Sequence, residues 1–394
     1  MDIAGGLYLE LCDVPQWNAT FGSGGRAAAA VADLSPSSVL HTYVAPAAEN
    51  GANYLKELGI DVRRHNTDTA IVFAYFHPLS RPHLEPPRST IAANPPILVE
   101  SGAILRFGFV EGDAVVRGDR VVYDPQTYHE PALFGANGSE AKCLALVINE
   151  LEIRAMAGTA DIAAAATCAM TSQGADVVIV KAGIRGATVF ERGKAARHVP
   201  AFRSTRVFKI GTGDVFSAIF AHYWAEDGMS PHDAAILASK AVATYCETRM
   251  LPPMGPQPSM VALSDLPPGH IEIVGAVDTI GRRWTMEEAR FRLRELGLSV
   301  RAPALGDAPD ESRAVAALLV IAEGMDILVD ARVRPVMPPD LPVVVLYEGG
   351  DRLAATVGAA YANLTITDDF ASSLYLVAWA ATPQRIGTQG RLIA

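Results

Sequence analysis

Basic clusters and apolar runs of membrane-spanning length are absent from this sequence, and cysteines are few. The 394 residues include 43 acidic and 33 basic side chains, which gives a formal net charge of −10, and the basic residues are not gathered in one patch. Nucleic acids and anionic membrane surfaces attract concentrated positive charge, so this composition argues against both as the main partner. We therefore expect a small-molecule partner.

The four cysteines are too far apart to form a recognisable metal or disulfide pattern. They are Cys12, Cys143, Cys168 and Cys246. Each lies in an apolar stretch, so buried, reduced thiols are expected. No N-terminal segment combines basic residues, an apolar run and a small-residue cleavage site. Together with the thiols, this predicts a cytoplasmic protein.

The length predicts two domains. The chain exceeds one typical domain, and its 50% hydrophobic content is enough for two buried cores. A proline-rich segment, residues 251–258, cannot be a helix or a central strand and is the natural linker. We therefore predict one domain over residues 1–258 and a second over residues 259–394.

The stretch from Val207 to Ala218 contains the elements of a phosphate-transfer site. Gly211–Gly213 allows a tight turn with converging N–H groups, and the apolar run 215–224 that follows has helical spacing. N–H groups at a helix N-terminus bind anions. Asp214, beside such an anion, could take a proton from an attacking hydroxyl. The alternative is that it only caps the helix after the glycine turn.

This stretch resembles the signature D-T-x-G-A-G-D-x-F of the ribokinase-like (PfkB) family of carbohydrate and nucleoside kinases. The matching positions are Gly211, Gly213, Asp214 and Phe216. Thr212 replaces the middle alanine, and Phe208 replaces the leading aspartate. The resemblance implies that Gly211, Thr212 and Gly213 surround the transferred phosphoryl group and that Asp214 is the general base.

The resemblance also implies the fold, a three-layer α/β sandwich with a small β lid within about residues 10–80. The sequence fits a β–α–β rhythm here, with a strand at Val39–Val44 and a helix at Asn50–Leu58. Strands at Asp61–Arg63 and Ala70–Phe76 lie where the family places the lid. Since this lid often mediates dimerisation in the family, a homodimer is expected.

Further positions resemble the substrate-binding part of the family. Glu10 follows Gly5 at the spacing of a substrate-binding aspartate, although it could be an exposed strand residue. Gly24 and Gly25 match a glycine pair, and Arg26 could bind an anionic group of the substrate or lie in solvent at a helix start.

Two observations bear on the acceptor. Ala29 or Ala30 stands where the family has a substrate-binding asparagine. Asp124 ends a predicted strand, and ligands of open α/β sheets collect at such carboxyl ends. We therefore predict Asp124 as a substrate residue, while the acceptor cannot be named.

Two motifs resemble the nucleotide site of the family. Asn149 and Glu152 reproduce an N-x-x-E motif that organises Mg²⁺ and its waters around ATP, although an asparagine cap followed by a first-turn acid gives the same pattern. Lys181, Gly183 and Gly186 resemble a T-x-G-x-x-G turn. Lys181 could contact a phosphate or point into solvent.

Residues 259–394 alternate predicted strands and helices, which indicates a small Rossmann-like domain. The predicted elements are strands at 270–277, 299–302, 326–329 and 341–347 and helices at 285–296, 310–323 and 352–362. Gly275, Trp284 and glycines near 349–358 resemble nucleoside deoxyribosyltransferases, but Thr356 replaces their nucleophilic glutamate. We expect a binding or oligomerisation module.

Together, the motifs predict an ATP- and Mg²⁺-dependent kinase that phosphorylates a hydroxyl of a sugar, nucleoside or related metabolite. The alternative is a kinase-fold binding or regulatory protein without turnover. Ala29, Ala30 and Phe208 favour this alternative, because they replace polar residues of the family.

Overall fold

The computed structural model describes residues 1–127, 129–253, 260–263, 269–309, 312–323, 341–348 and 363–382. The chain divides into two compact units, Met1–Ser264 and Asp265–Ala394.

The first unit alternates strands and helices. Its strands are β1 (Asp2–Ala4), β2 (Leu9–Cys12), β3 (Trp17–Thr20), β4 (Val39–Val44), β5 (Asp61–Asn66), β6 (Val72–Tyr75), β7 (His83–Glu85), β8 (Ile97–Phe107), β9 (Ala114–Asp124), β10 (Glu140–Asn149), β11 (Val177–Lys181), β12 (Ala187–Glu191), β13 (Arg197–Val199), β14 (Ala201–Phe202) and β15 (Ala262–Leu263). Its helices are α1 (Gly22–Ala30), α2 (Glu49–Glu57), α3 (Glu150–Ala157), α4 (Ile162–Gln173), α5 (Thr212–Ala221) and α6 (Pro231–Thr248).

Nine strands form one large sheet, in the order β13-β12-β11-β10-β9-β8-β1-β4-β5. Neighbours are parallel except at β11/β12 and β12/β13. The central strands are continuous apolar runs, such as Leu144–Ile148, because both faces of the sheet are covered. At β1 the chain order changes direction, with β4 on one side and β8 on the other, and ligands of open α/β sheets bind at such a point.

Helices cover both faces of this sheet, as the family resemblance implied. Side chains of α1, α2, α5 and α6 pack with one face, and those of α3 and α4 pack with the other. The alanine-rich helix α1 is buried along its whole length, because its small side chains allow close packing. The predicted three-layer sandwich is therefore confirmed.

A separate four-stranded sheet, in the order β3-β2-β6-β7, forms the lid. The prediction that Asp61–Arg63 belongs to it is wrong, since β5 pairs in parallel with β4 from Asp61↔Val39 onward. The short helix α2 returns the chain beside β4, so β5 joins the large sheet. The long strand β8 lies beside β1 in the large sheet and β9 lies beside β8, and β9 ends at Asp124, the strand end that the sequence predicted.

In the second unit, five parallel strands form a sheet in the order β17-β16-β18-β19-β20. Its elements are β16 (His270–Gly275), α7 (Ile280–Glu295), β17 (Val300–Arg301), β18 (Val315–Ile321), β19 (Val343–Leu346), β20 (Leu364–Thr367) and α8 (Phe370–Ala381). The predicted helix at 310–323 is wrong, because the buried run 317–322 is continuously apolar, as in a strand covered on both faces.

Several predictions for the second unit fall outside the described residues. These are the strand at 326–329, the helix at 352–362 and the deoxyribosyltransferase-like positions 349–358, including Thr356. Gly275 lies at the end of β16, where a Cβ would come within 2.5 Å of the Met286 sulfur of α7. The close approach of α7 to β16 thus explains why position 275 is a glycine.

All four cysteines are free, but only two of them are buried as predicted. Cys12 and Cys246 are buried, whereas Cys168 is exposed on α4. None of the helices in the described ranges has the length and apolar character needed to cross a membrane.

Candidate active site

Helix α5 begins at the turn that the sequence singled out. Gly211 is its N-cap residue with φ +75°, a left-handed conformation that favours glycine. Because glycine has no side chain, the first-turn N–H groups receive no cap from this position. Asp214 is the third helical residue, so the prediction of an N-cap aspartate is wrong. Its carboxylate is free for other partners.

The main partner of Asp214 is Arg26, from the first turns of α1. Arg26 Nη1 donates to Asp214 Oδ2 at 3.0 Å and to Glu10 Oε1 at 2.9 Å, and Nη2 donates to Glu10 Oε2. Arg26 is 1% exposed and Glu10 is 4% exposed. The alternatives of a solvated arginine and an exposed strand glutamate are therefore both wrong.

Arg26 also lies directly against the glycine turn. A Cβ on Gly211 would come within 2.1 Å of Arg26 Nε, so only glycine fits at this position. Tyr245 of α6 accepts a hydrogen bond from Arg26 Nε at 3.2 Å and donates to the Ile210 carbonyl at 3.0 Å. The guanidinium is thus held on one side of the turn.

Lys181 lies on another side of the same turn. Its Nζ would be 3.5 Å from a Cβ on Gly213, and it donates to Asp124 Oδ2 at 2.7 Å. Ser217, on α5, donates to the same oxygen at 2.7 Å. The alternative of a lysine pointing into solvent is wrong. Two cations, Arg26 and Lys181, therefore flank the uncapped N-terminus of α5.

The charged side chains of this cluster shift one another's pKa values. Burial raises the pKa of Asp214 to about 6, Arg26 opposes this rise, and the carboxylates of Asp124 and Glu10 add to it. Burial disfavours the charge of Lys181, but the carboxylates of Asp124 and Glu152 raise its pKa above the ordinary value. Asp214 thus combines a raised pKa with an ion pair to Arg26.

Asn149 and Glu152 form a capping box at the start of α3. The Asn149 side chain accepts from the backbone of Leu151 and Glu152, each at 2.9 Å, and Glu152 Oε2 accepts from the Asn149 N–H at 2.8 Å. This is the capping alternative left open by the sequence. Burial raises the pKa of Glu152 to about 7, and the nearby charge of Asp124 adds to the rise.

The predicted glycines have steric explanations. A Cβ on Gly24 would lie 2.4 Å from the Gly5 carbonyl oxygen, and one on Gly25 would lie 2.7 Å from the Leu7 side chain. Gly183 and Gly186 both have positive φ, in a tight turn after β11. These four glycines shape the backbone around the cluster.

The positions that depart from the family are packed with apolar groups. Phe208 is 1% exposed, and its ring lies 4.9 Å from that of Trp17 in the lid. Ala29 is fully buried within α1. An aromatic contact between the lid and the α5 turn thus replaces the leading aspartate.

Sequence reasoning missed three residues of the site. Gln126 donates from Nε2 to Asp214 Oδ1 at 3.2 Å, Ser217 fixes Asp124, and Tyr245 fixes Arg26. Ser217 follows Asp214 by three residues, on the same helix face, which was an available signal. Gln126 and Tyr245 carried no local signal, because their contacts depend on the tertiary fold.

Comparison with known proteins bears on this arrangement. Residues 118–250 match the pfkB family of carbohydrate kinases. This match supports the resemblance to that family over residues 118–250. The matched segment contains the α5 turn, Asp124, Lys181 and the Asn149–Glu152 pair, whereas Glu10 and Arg26 lie outside it.

The match to curated relatives covers a shorter part of this chain than the family match does. Deoxyribokinases of Salmonella typhi and Salmonella typhimurium are each 38% identical over 103 residues, which is 25% of this chain. The matched part spans about a third of the relatives' own length, 33%.

Solved structures show a distant likeness to the same family. Ribokinase of Thermotoga maritima is 19% identical with a TM-score of 0.45, over 66% of this chain and 95% of its own. Ribokinase of Arabidopsis thaliana, complexed with ribose and ATP, is 16% identical with a TM-score of 0.48, over 65% of this chain and 95% of its own.

Proposed function

We propose that this protein transfers the γ-phosphoryl group of ATP to a hydroxyl group of a sugar, a nucleoside or a related small molecule. The carrying observation is the uncapped N-terminus of α5, with Asp214 in its first turn and the cations Arg26 and Lys181 beside it. This arrangement fits a phosphate, because first-turn N–H groups without a side-chain cap and two nearby cations all stabilise negative charge.

In the proposed reaction, Asp214 accepts the proton of the acceptor hydroxyl. The acceptor oxygen then forms a bond to phosphorus, while the bond between the γ-phosphorus and its bridging oxygen breaks and leaves that electron pair on ADP. The amides of Gly211–Gly213, together with Arg26 and Lys181, stabilise the charge on the transferring group. These residues act by position and charge, without a covalent intermediate.

Mg²⁺ would neutralise part of the phosphate charge when bound with ATP. The described residues contain no group of three or more His, Cys, Asp or Glu side chains placed to hold a metal ion. Mg²⁺ commonly keeps several waters and binds through one or two carboxylates together with the substrate phosphates. Glu152, buried beside Asp124 and Lys181, would contact this water shell, while Asn149 holds the backbone of α3.

The curated relatives and the position of Glu10 bear on the chemical class of the acceptor. The curated relatives are named deoxyribokinases, which supports a sugar. Glu10 lies on lid strand β2 and shares Arg26 with Asp214, so we propose that it contacts an acceptor hydroxyl after Arg26 turns toward the phosphoryl group.

A binding or regulatory protein without turnover is the second candidate. It is favoured by Arg26, which bonds both Glu10 and Asp214 and so already neutralises the proposed base. Arg26 would have to release Asp214 for catalysis.

Measuring ADP release from Mg·ATP over a panel of pentoses, hexoses and nucleosides separates the two candidates. A kinase gives acceptor-dependent ADP release and a phosphorylated product of matching mass. ATP binding without release for every acceptor would support the second candidate and contradict the first.

A further inference from the structure

Gln126 connects the end of β9 to the proposed base. Its amide donates to Asp214 Oδ1 at 3.2 Å, while Arg26 donates to the other oxygen, Oδ2. The backbone of Gln126 has φ +61°, in the left-handed region that residues other than glycine seldom adopt. Such a conformation persists only where the surroundings fix it, and it is common at functional sites.

The turn that carries Gln126 is fixed by several contacts. The Gln126 N–H donates to Asp124 Oδ1 at 3.3 Å, and Ser217 donates to Asp124 Oδ2 at 2.7 Å. Gly108 donates its N–H to the Asp124 carbonyl at 3.0 Å, and a Cβ on Gly108 would lie 2.2 Å from the Pro125 carbonyl oxygen. The end of β9 and the first turns of α5 are therefore joined twice, through Asp124–Ser217 and through Gln126–Asp214.

We propose that Gln126 is a positioning residue for the phosphoryl transfer proposed above, on which this inference rests. Its amide bonds Oδ1 of Asp214 and so presents Oδ2, the oxygen on the side of Arg26 and the Gly211 turn, to the acceptor hydroxyl. After Arg26 releases Oδ2, the acceptor proton passes to that oxygen. The amide also keeps the carboxylate ionised, since a hydrogen bond donated to the charged form favours it.

Other groups around Asp214 also affect its ionisation. They are Arg26 from α1, Glu10 from β2, Tyr75 from β6, Asp124 from β9, Lys181 from β11 and Tyr245 from α6. All of them are ionisable groups that remain in place when Gln126 is changed. A change in the pKa of Asp214 in a Gln126 variant therefore reports on the amide.

The test compares Gln126→Ala and Gln126→Gly with the wild type, using the best acceptor of the panel. Both variants lack the amide, so the acid limb of kcat/KM should move upward by about one pH unit in each. The maximal kcat should fall roughly tenfold, because the base is no longer oriented. Gln126→Asn, which keeps an amide and tolerates the left-handed backbone, should restore part of the loss.

Two comparisons identify a purely structural effect. Thr127→Ala changes the next residue of the same loop and should leave the profile unchanged. Glycine relieves the backbone conformation whereas alanine does not. If Gln126→Gly behaves as the wild type while Gln126→Ala is impaired, the effect comes from the backbone and the proposal is overturned.

Titration of Asp214 itself makes the test independent of turnover. In protein labelled with ¹³C at the aspartate carboxyls, the Asp214 signal is assigned by its loss in Asp214→Asn. A higher Asp214 pKa in Gln126→Ala supports the proposal, and an unchanged pKa overturns it. Absence of phosphoryl transfer in the wild type would instead contradict the proposed function, and the titration would still decide on Gln126.

Discussion

Replacing Arg26 with methionine should lower the stability of the protein and also change how its stability and kcat/KM depend on pH. Arg26 is 1% exposed and is bonded to two carboxylates, Glu10 and Asp214. Removing one partner of a buried ion pair costs about 3–5 kcal/mol, because a buried charge remains uncompensated. We expect a loss of this size in the free energy of unfolding at pH 7.5, measured by urea denaturation.

The direction of the pH effect follows from the same contacts. Arg26 lowers the pKa of Asp214 against the effect of burial, so its removal should raise that pKa above about 6. A carboxyl whose pKa is raised by folding contributes stability at low pH and loses it as the pH rises through the folded pKa. The deficit of Arg26→Met should therefore shrink as the pH falls from the variant's raised Asp214 pKa to about 6, where wild-type Asp214 also becomes protonated, and the acid limb of kcat/KM should move to higher pH.

Arg106 provides a matched control. It is also 1% exposed and pairs with Asp113 at 2.8 Å, away from the α5 turn. Arg106→Met should also lose stability, but less than Arg26→Met because the Asp113 side chain is 36% exposed, and it should keep the acid limb near pH 6. Equal acid limbs in Arg26→Met and Arg106→Met would refute the claim that Arg26 controls the ionisation of Asp214.

Three further predictions concern the turn, the metal and the domains. Gly211→Ala should lower the free energy of unfolding more than Gly59→Ala, for which about 1 kcal/mol is expected. Both glycines have positive φ, but only a Cβ on Gly211 would meet a side chain, at 2.1 Å. Calorimetry of the two variants measures the difference, and equal losses would contradict the prediction. Glu152→Gln should weaken the Mg²⁺ dependence of ATP binding, whereas Glu150→Gln should not, and calorimetric titration measures both. Equal metal dependence in the two variants would indicate that Glu152 only caps α3. A fragment of residues 1–264 should unfold cooperatively and bind ATP by itself; insoluble protein would show that the second unit completes its core.

The sequence predicted those parts of the site that depend on local patterns. Asp124, Lys181 and the α5 turn each lie at the end of a strand or the start of a helix, where short-range patterns are informative. The contact between Arg26 and Asp214 joins residues 188 positions apart, so no local pattern contains it. The same is true of Gln126, whose side chain reaches Asp214 only in the folded chain.

The wrong predictions share a physical cause. The strand β18 was predicted as a helix because a short apolar run has no decisive period, and only its burial on both faces identifies it. The strand β5 was assigned to the lid because its pairing with β4 is a tertiary property. Asn149 and Glu152 are a different case: they match both a metal motif and a capping box, the structure shows the capping bonds, and the metal role stays a prediction.

The most direct test of the central claim compares Asp214→Asn with Asp233→Asn. Asp233 is also the third residue of a helix, α6, but it is exposed and lies outside the site. Asp214→Asn should reduce kcat roughly 10²- to 10⁴-fold while the Kd for ATP changes only a few-fold, because base catalysis acts in the transition state. Asp233→Asn should keep wild-type turnover. Near-wild-type turnover in Asp214→Asn would contradict the account.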